Sequence, residues 1–217
     1  MKLIVVYDNS SLREDLKPDW GFSCLIETKG KDTLKILFDT GYKSSILFSN
    51  MEKLGINPKT INVIVISHSH IDHTGGLADL LKINPYVTLY IPNSFSVKVG
   101  GVNVVKVKTP TQITENVYVL GEFMDIEQSL LIKTVKGLIL VTGCSHPGLE
   151  NIVSEASKFG KVYGVIGGFH GFRNYRILEK ISLICPCHCT VNKEEIAKIF
   201  PEKYEKCGVG KVLEIHE

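Results

Sequence analysis

The chain has 217 residues, which suits one domain with a substantial core, and we expect a single domain over residues 1–217. With 44% hydrophobic and 22% charged residues, the composition is typical of globular proteins. The net charge is +2, from 25 basic and 23 acidic residues, with no block of like charge. This balance argues against a nucleic-acid partner or a basic membrane-binding face.

No apolar run approaches the length of a membrane span, and the apolar stretch in MKLIVVYDNS is too short for a secretion signal. We therefore expect a cytoplasmic protein with no membrane partner. In that compartment, the six cysteines are expected to be reduced thiols rather than disulfides.

The first part of the chain is rich in predicted strands. These apolar runs lie at 2–7, 22–28, 33–38 and 61–67. The last of them is nearly continuous, which is typical of a strand covered on both faces. Apolar residues at helical spacing predict a helix within 41–56, a short helix is expected at 77–82, and a turn at 29–32.

The middle of the chain again predicts strands, at 87–91, 102–107, 117–120, 130–135 and 137–142. After residue 147 the pattern alternates between helix and strand. Helices are expected at 148–159, 173–180 and 191–200, and strands at 162–167, 181–185 and 211–215. Grouped strands followed by helix–strand units predict an α/β layered fold with sheets in the core and helices outside.

The segment ISHSHIDHTGG, residues 66–76, concentrates candidate metal ligands at a predicted strand end. In an extended segment His68, His70 and Asp72 share a side, and His73 can approach after the chain turns. This pattern suits two ions, one on His68 and His70 and the other on Asp72 and His73. Imidazole and carboxylate groups favour zinc, with iron and manganese as alternatives. A solvated polar loop fits poorly, because the histidines directly follow a buried-type strand.

HSHIDH matches the HxHxDH motif of the metallo-β-lactamase fold, and FDTG at 38–41 matches the aspartate turn that precedes it. The chain resembles this family over nearly its whole length. The resemblance implies an αββα sandwich with the metals at one edge, between two sheets. Three later pieces are similar to the 7,8-dihydropterin-6-yl-methyl-4-(β-D-ribofuranosyl)aminobenzene-5'-phosphate synthase-like hydrolases: TGCSHPG (142–148), GGFHG (167–171) and PCHCT (186–190).

The resemblance also implies roles for residues far from the histidine segment. Asp39 would hold the ligand loop by hydrogen bonds rather than bind metal, although an ordinary Asx turn is the alternative. His146 would complete the first metal's ligands and His188 the second's.

The sequence departs from the common superfamily pattern at one ligand position. Many members have a histidine in an earlier turn and then an aspartate that bridges both ions. Here the earlier position holds Glu127-Gln128-Ser129, and Cys144 stands roughly where the aspartate would be. A thiolate could ligate or bridge the ions, but a small buried residue is the preferred interpretation of Cys144.

The cluster CPCHC surrounds His188. If this segment stays extended, His188 points opposite to Cys187 and Cys189, which makes the histidine the ligand. We then expect Cys185, Cys187 and Cys189 either to pack in the core or to contact the ligand side chains without binding metal. A redox or metal-binding role for the cluster is the alternative.

His170 lies in the glycine-rich stretch IGGFHGF, where small neighbours permit close approach of substrate. We expect it to contact the substrate or leaving group, with metal ligation or a structural role as alternatives. Arg173 and Arg176 follow and could meet a phosphate, although a solvated helix face explains them as well. His216, next to the C-terminal residue, is given no role.

These features predict a hydrolase with two divalent metal ions, most simply zinc, that supply an activated hydroxide. The subgroup resemblance implies a small phosphorylated substrate, either a phosphodiester or a cyclic phosphate, with a pterin-related compound as one option. Asp72 would bind metal and orient the hydroxide, and His170 would steady the leaving group. The alternatives are a thioester or lactone hydrolase, a di-iron redox protein, and a non-catalytic metal-binding protein. No flavin domain fits into 217 residues, which disfavours the redox alternative.

Overall fold

Two stacked β-sheets form the centre of the molecule in a computed structural model that describes residues 1–28 and 33–215. The first sheet has the strand order β13-β1-β2-β3-β4-β5-β6. Its strands are β1 (Lys2–Tyr7), β2 (Ser23–Glu27), β3 (Lys35–Phe38), β4 (Val63–Val65), β5 (Thr88–Pro92), β6 (Asn103–Val107) and β13 (Val212–Glu214). From β3 to β6 the strands are parallel, and the other pairs in this sheet are antiparallel.

The second sheet has the order β12-β11-β10-β9-β8-β7. Its strands are β7 (Thr111–Thr114), β8 (Val117–Phe123), β9 (Glu127–Thr134), β10 (Gly137–Thr142), β11 (Val162–Gly168) and β12 (Leu183–Cys187). The strands β10, β11 and β12 are parallel, while β7 to β10 form an antiparallel meander. The expected turn at 29–32 and His216 lie outside the described residues.

Helices cover the outer faces of both sheets. They are α1 (Ser44–Lys53), α2 (Ile71–Thr74), α3 (Leu77–Ile83), α4 (Leu149–Ala156) and α5 (Lys193–Ile199), with 3₁₀ turns at Pro58–Thr60, Ser157–Phe159 and Tyr175–Lys180. Within the described part of the chain, no helix has both the length and the apolar character needed to cross a bilayer.

Alternation along the strands builds three apolar layers. Leu3 and Val5 of β1 face the second sheet, while Ile4 and Val6 face helices α1 and α3. A third cluster packs β10 and β11 against α4, whose Ile152 is buried there. The predicted layered α/β fold is therefore confirmed as helices, sheet, sheet and helices.

Strand ends bring the polar residues of the sequence motifs to one edge of this sandwich. In parallel strands all carboxyl ends meet at the same edge, which is where α/β proteins place their ligands. Asp39 follows β3, and His68 comes three residues after β4. In the second sheet His146, His170 and His188 follow β10, β11 and β12 in the same way.

Several elements differ from the sequence prediction. The strand β7 was not predicted, because TQIT is short, polar and at a sheet edge, where the apolar pattern is weak. The expected helix at 173–180 is a 3₁₀ turn over Tyr175–Lys180. The strand expected at 181–185 is displaced to Leu183–Cys187. It tolerates Pro186 because β12 is an edge strand, which needs backbone donors on one side only.

Candidate metal centre

The histidine segment is extended only in its first half. The main chain leaves β4, passes His68 and His70, and enters the helical turn α2 at Ile71. The expectation that Asp72 continues an extended segment is therefore wrong, since Asp72 and His73 project from a helix. Backbone contacts explain the turn, because the carbonyl oxygen of His73 accepts both the amide and the hydroxyl of Thr40, at 2.8 and 2.9 Å.

Tight packing beneath this turn requires glycine. A Cβ atom on Gly75 would lie 1.9 Å from the carbonyl oxygen of Tyr42, and one on Gly76 would lie 2.6 Å from that of Thr40. Neither distance is sterically allowed, so the two glycines let α2 and α3 pass close to the loop after β3.

Candidate ligand atoms form two separate groups at this edge. The first consists of His68, His70 and His146, and the second consists of Asp72, His73, Cys144 and His188. Within each group, one donor atom from every residue lies within 4.8 Å of the others. The structure thus brings together all the residues that the sequence predicted as metal ligands, including Cys144.

The second group is the more buried. Asp72 Oδ2 lies 3.0 Å from His188 Nε2 and 3.6 Å from His73 Nε2. His73 Nε2 is also 3.2 Å from the sulfur of Cys144. A carboxylate oxygen, a thiol and two ring nitrogens therefore converge on one small space.

The first group consists of imidazoles alone. His68 Nε2 lies 3.1 Å from His70 Nδ1, and the ring centroids of His68 and His146 are 4.8 Å apart. His146 Nε2 is buried and has no hydrogen-bond partner among the described residues. A buried, unpartnered ring nitrogen costs free energy unless a ligand occupies it, so this atom fits a metal ion.

Asp39 fixes which ring nitrogens face the site. Its carboxylate accepts the amide of Ser67 and the hydroxyl of Ser67, both at 2.7 Å, and the Nδ1–H of His73 at 2.7 Å. Because the Ser67 hydroxyl proton is used on Asp39, His68 Nδ1 must donate to that oxygen, at 2.9 Å. In their neutral forms, His68 and His73 consequently present Nε2 as an unprotonated nitrogen to the site.

Asp8 and Asn9 orient His188 in a similar way. The amide of His188 donates to Asp8 Oδ2 at 2.8 Å, and its Nδ1 pairs with Asn9 Oδ1 at 2.8 Å. The same Asn9 oxygen accepts the amide of Gly21 at 3.1 Å, which identifies it as the acceptor. Sequence reasoning missed both residues, although a polar Asp-Asn pair directly after a buried strand was a usable signal.

His188 itself is not extended. Its φ angle is +42°, so the chain turns sharply after β12. The prediction from extended geometry is therefore wrong in part. Cys185 and Cys187 are buried in the core between the sheets, but Cys189 turns back and lines the same cavity as Cys144.

Glu127 holds the loop that carries Cys144 and His146. Its Oε1 accepts the Thr142 hydroxyl at 3.1 Å and the amides of residues 143–145 at 2.9 to 3.0 Å. Its Oε2 accepts the amide of His146 at 2.9 Å. The side chain is 1% exposed, so these donors replace water around the carboxylate. The sequence signal for this role was an acid at the start of a buried strand.

Backbone strain concentrates at this edge. Of the six non-glycine residues described with a positive φ, four lie at the candidate site: Asp39, Ser145, His170 and His188. Such conformations cost free energy and persist where the surroundings over-determine them, which is common at functional sites.

The glycines before His170 bring two strands together rather than open a path for substrate. A Cβ atom on Gly167 would lie 1.9 Å from the carbonyl oxygen of Thr142, and one on Gly168 would lie 2.4 Å from that of Gly143. The end of β11 can therefore approach the ligand loop after β10, and His170 follows directly.

A cavity of about 410 Å³ opens above the two ligand groups. It is lined by Trp20, His70, Ile71, Asp72, Cys144, His146, His170, His188 and Cys189. His170 is exposed, its ring centroid is 5.0 Å from that of His146, and it also lines an adjoining cavity of about 300 Å³. Arg173 lines this second cavity, whereas Arg176 lines neither of the two.

Burial and neighbouring carboxylates together set the protonation of the candidate ligands. Burial lowers the pKa values of His68, His146 and His188, which favours the neutral rings that can bind metal. For His73 the carboxylates of Asp39 and Asp72 outweigh burial and raise the pKa. Burial raises the pKa of Asp72, but its contacts with His188 and His73 together outweigh this and lower the pKa, which favours the ionised carboxylate. The contact with Cys189, together with burial, raises the pKa of the Cys144 thiol. That thiol would need a nearby cation to ionise.

The sequence profile of the Metallo-beta-lactamase superfamily matches residues 21–112, which include Asp39 and the histidine segment. The chain is 35% identical to the 7,8-dihydropterin-6-methyl-4-(beta-D-ribofuranosyl)-aminobenzene-5'-phosphate synthase of Methanocaldococcus jannaschii, over 90% of this chain and 91% of the relative. A second, uncharacterised protein of that organism is 30% identical over 86% of this chain and 89% of the relative's length.

Solved structures show the same fold. A crystal structure of a metal-dependent hydrolase of the beta-lactamase superfamily matches with a TM-score of 0.79 and 24% identity, over 100% of both chains. The metallo-beta-lactamase fold protein YhfI of Bacillus subtilis matches with a TM-score of 0.69 and 13% identity, over 98% of both chains. Together, the profile match and the 35% identical relative over 90% of the chain show that the chain belongs to the metallo-β-lactamase superfamily.

Proposed function

We propose that the chain is a dinuclear metal-dependent hydrolase that acts on a small phosphorylated substrate. The observation that carries this proposal is the pair of ligand groups beneath one open cavity. His68, His70 and His146 would hold one divalent ion, and His73 and His188 would belong to the second. Imidazole, carboxylate and thiol donors favour zinc, with iron or manganese as alternatives.

Asp72 and Cys144 would complete the second ion's ligands. The sulfur of Cys144 lies in the second group at 3.2 Å from His73 Nε2, which favours a ligand role over that of a small buried residue. This thiol would take the position in which many superfamily members place an aspartate. When bound, two such ions supply an acidified water and positive charge for the developing anion.

The chain's own residues would orient the reactants around the ions. The carboxylate of Asp72 lines the cavity, and its oxygens can accept hydrogen bonds, so it can align an attacking water. The exposed imidazole of His170 also lines the cavity, where it can donate a proton to the leaving group. Asp39 acts through the ring of His73, which it holds by a 2.7 Å hydrogen bond.

Two features support a phosphorylated substrate with a planar ring, such as a pterin derivative. Arg173 lines the cavity next to His170 and can pair with a phosphate. Trp20 lines the main cavity and is 50% exposed, and its ring centroid lies 5.3 Å from that of Tyr42. An exposed tryptophan offers a flat apolar face for stacking. The name of the 35% identical relative also includes both a pterin and a 5'-phosphate.

The test is hydrolysis by protein of measured metal content. Zinc-loaded and chelator-treated protein should be compared on aryl phosphodiesters, cyclic nucleotides, a phosphorylated pterin, thioesters and lactones. We expect phosphoester cleavage that requires metal, and its abolition in His68→Ala and His188→Ala. Full activity in metal-free protein would contradict the proposal, and a clear preference for thioesters or lactones would favour the alternative substrate class.

Isotope labelling separates hydrolysis from a synthase reaction, which is the activity named for the relative. In water enriched in ¹⁸O, hydrolysis places the label in one of the two products, because the oxygen of the attacking water is added to that fragment as the bond breaks. A group transfer to a second organic substrate leaves the products unlabelled. Incorporation of label is the outcome that we expect.

A further inference from the structure

A second cluster of metal-binding side chains lies outside the site described above. Cys185 and Cys187 are two residues apart on β12, so both side chains point into the core between the sheets. Cys207, from the loop before β13, meets them there. The three sulfur atoms lie within 4.8 Å of one another, and the residues are 0%, 0% and 5% exposed.

A buried carboxylate accompanies the three thiols. Asp8 is 0% exposed, and its Oδ2 lies 3.8 Å from the sulfur of Cys207. The same carboxylate accepts the amides of Ser10 at 3.0 Å and His188 at 2.8 Å. The three sulfurs form the compact ligand group, and the Asp8 oxygen approaches it beside Cys207, in a region closed to solvent.

This donor set suits a closed tetrahedral site. Zinc–sulfur bonds of about 2.3 Å place sulfurs about 3.8 Å apart, which the observed separations allow. Structural zinc sites are closed and typically use four cysteine or histidine ligands, and a carboxylate oxygen can also ligate zinc, so three thiolates with one carboxylate would fill such a site. Single buried cysteines pack as small apolar residues, but three sulfurs that converge on one point beside a buried carboxylate match a metal site more closely than packing alone.

We propose that Cys185, Cys187, Cys207 and Asp8 form a structural zinc site, separate from the dinuclear centre. Binding would release the three thiol protons to solvent. The ion would join β12 to the end of β1 and to the loop before β13. Through the Asp8 carboxylate it would also support the backbone of His188, and hence the neighbouring centre.

Zinc stoichiometry tests this site directly. Cys207→Ala removes a sulfur on a loop that contributes no ligand to the dinuclear centre, and Cys24→Ala is the matched control. Cys24 is also buried in the core between the sheets but lies outside the described metal-binding groups. By elemental analysis, Cys207→Ala should hold one zinc ion per chain fewer than wild type. Cys24→Ala should hold as many zinc ions as wild type. Equal zinc content in wild type and Cys207→Ala would overturn the proposal.

A spectroscopic experiment keeps the proposal testable if Cys207→Ala does not fold. Cobalt replaces zinc, and sulfur-to-cobalt charge transfer then reports thiolate ligation. In a Cys144→Ala, Cys189→Ala double variant, the cavity thiols are absent, so a remaining band requires the buried cysteines. Persistence of that band supports the site and its absence contradicts it. Neither result depends on whether the protein hydrolyses phosphoesters.

Discussion

Two buried carboxylates, Asp39 and Glu127, hold the two halves of the candidate centre. Asp39 binds the loop after β4, and Glu127 binds the loop after β10. Neither belongs to a ligand group among the described residues, so each acts through the residues that it positions. Partners of this kind orient ligands, and their loss typically weakens metal binding about 10- to 100-fold.

Replacement of Glu127 by glutamine should loosen the loop that carries Cys144 and His146. The amide keeps the shape, but its NH₂ group faces backbone N–H donors that it cannot satisfy. We expect a loss of about 1–3 kcal/mol in unfolding free energy and about tenfold weaker metal binding. Denaturant titration and chelator competition measure the two effects.

The matched control is Glu115→Gln, at an exposed position in the turn before β8. It should leave both quantities unchanged. If Glu127→Gln behaves like this control, the carboxylate has no positioning role.

Arg173 and Arg176 provide a matched pair for phosphate binding. Both side chains are exposed. Of the two, Arg173 lines the described cavity beside His170 and Arg176 does not. Arg173→Ala should raise KM for a phosphorylated substrate about three- to tenfold, an effect limited by solvent screening. Arg176→Ala should leave KM unchanged. Equal effects of the two substitutions would indicate general electrostatics rather than a phosphate contact.

At the scale of elements, strand ends determine where the ligands lie, and the connecting turns determine how they point. The loop after β3, the turn α2 and the start of α3 pack without space for a side chain at Gly75 or Gly76. The candidate ligands Asp72 and His73 belong to that turn, so the same close packing that joins the elements also orients the candidate site.

Substitution of Gly75 by alanine should therefore disturb both stability and metal binding. The new Cβ would overlap the carbonyl oxygen of Tyr42, and relief would shift α2. We expect destabilisation by about 1–3 kcal/mol, the range for overpacking, together with weaker zinc binding. Gly100→Ala is the control, because a Cβ there would meet no atom within 4 Å. A Gly75→Ala protein with wild-type Tm and zinc affinity would refute the packing argument.

At the scale of the whole molecule, each candidate ion would join the two sheets. His68 and His70 follow a strand of the first sheet, and His146 follows a strand of the second. In the other group, Asp72 and His73 follow a strand of the first sheet, and Cys144 and His188 follow strands of the second. Metal binding would therefore stabilise the packing of one sheet on the other.

Chelation should lower the thermal stability for this reason. A ligand that binds only the folded state stabilises it by about 2.7 kcal/mol at a concentration of 100 times its Kd. Scanning calorimetry in excess chelator and in excess zinc should show a clearly lower Tm without metal. The chelator effect should shrink in His68→Ala. Identical Tm values for wild type under both conditions would show that no ion links the sheets.

The sequence by itself determined the strands with strong alternation, the layered fold and the local motifs. Each of the motifs HSHIDH and FDTG is an unbroken run of residues. Residue type and spacing within each run therefore sufficed to select His68, His70, Asp72, His73 and Asp39. Secondary structure was less predictable where the apolar pattern was weak or the backbone made an unusual turn. The edge strand β7 has little apolar pattern, and the turns at Asp72 and His188 depend on packing against Thr40 and Asp8.

Only the tertiary structure decided which distant residues support these motifs. Glu127 reaches the amide of His146 across 19 positions, and Asp8 reaches that of His188 across 180. The grouping of Cys144 with Asp72, His73 and His188, and that of Cys207 with Cys185 and Cys187, were likewise settled there. The physical reason is that a motif records neighbours along the chain. A buried carboxylate or thiol is instead satisfied by whatever sheet stacking brings within hydrogen-bonding or ligand distance.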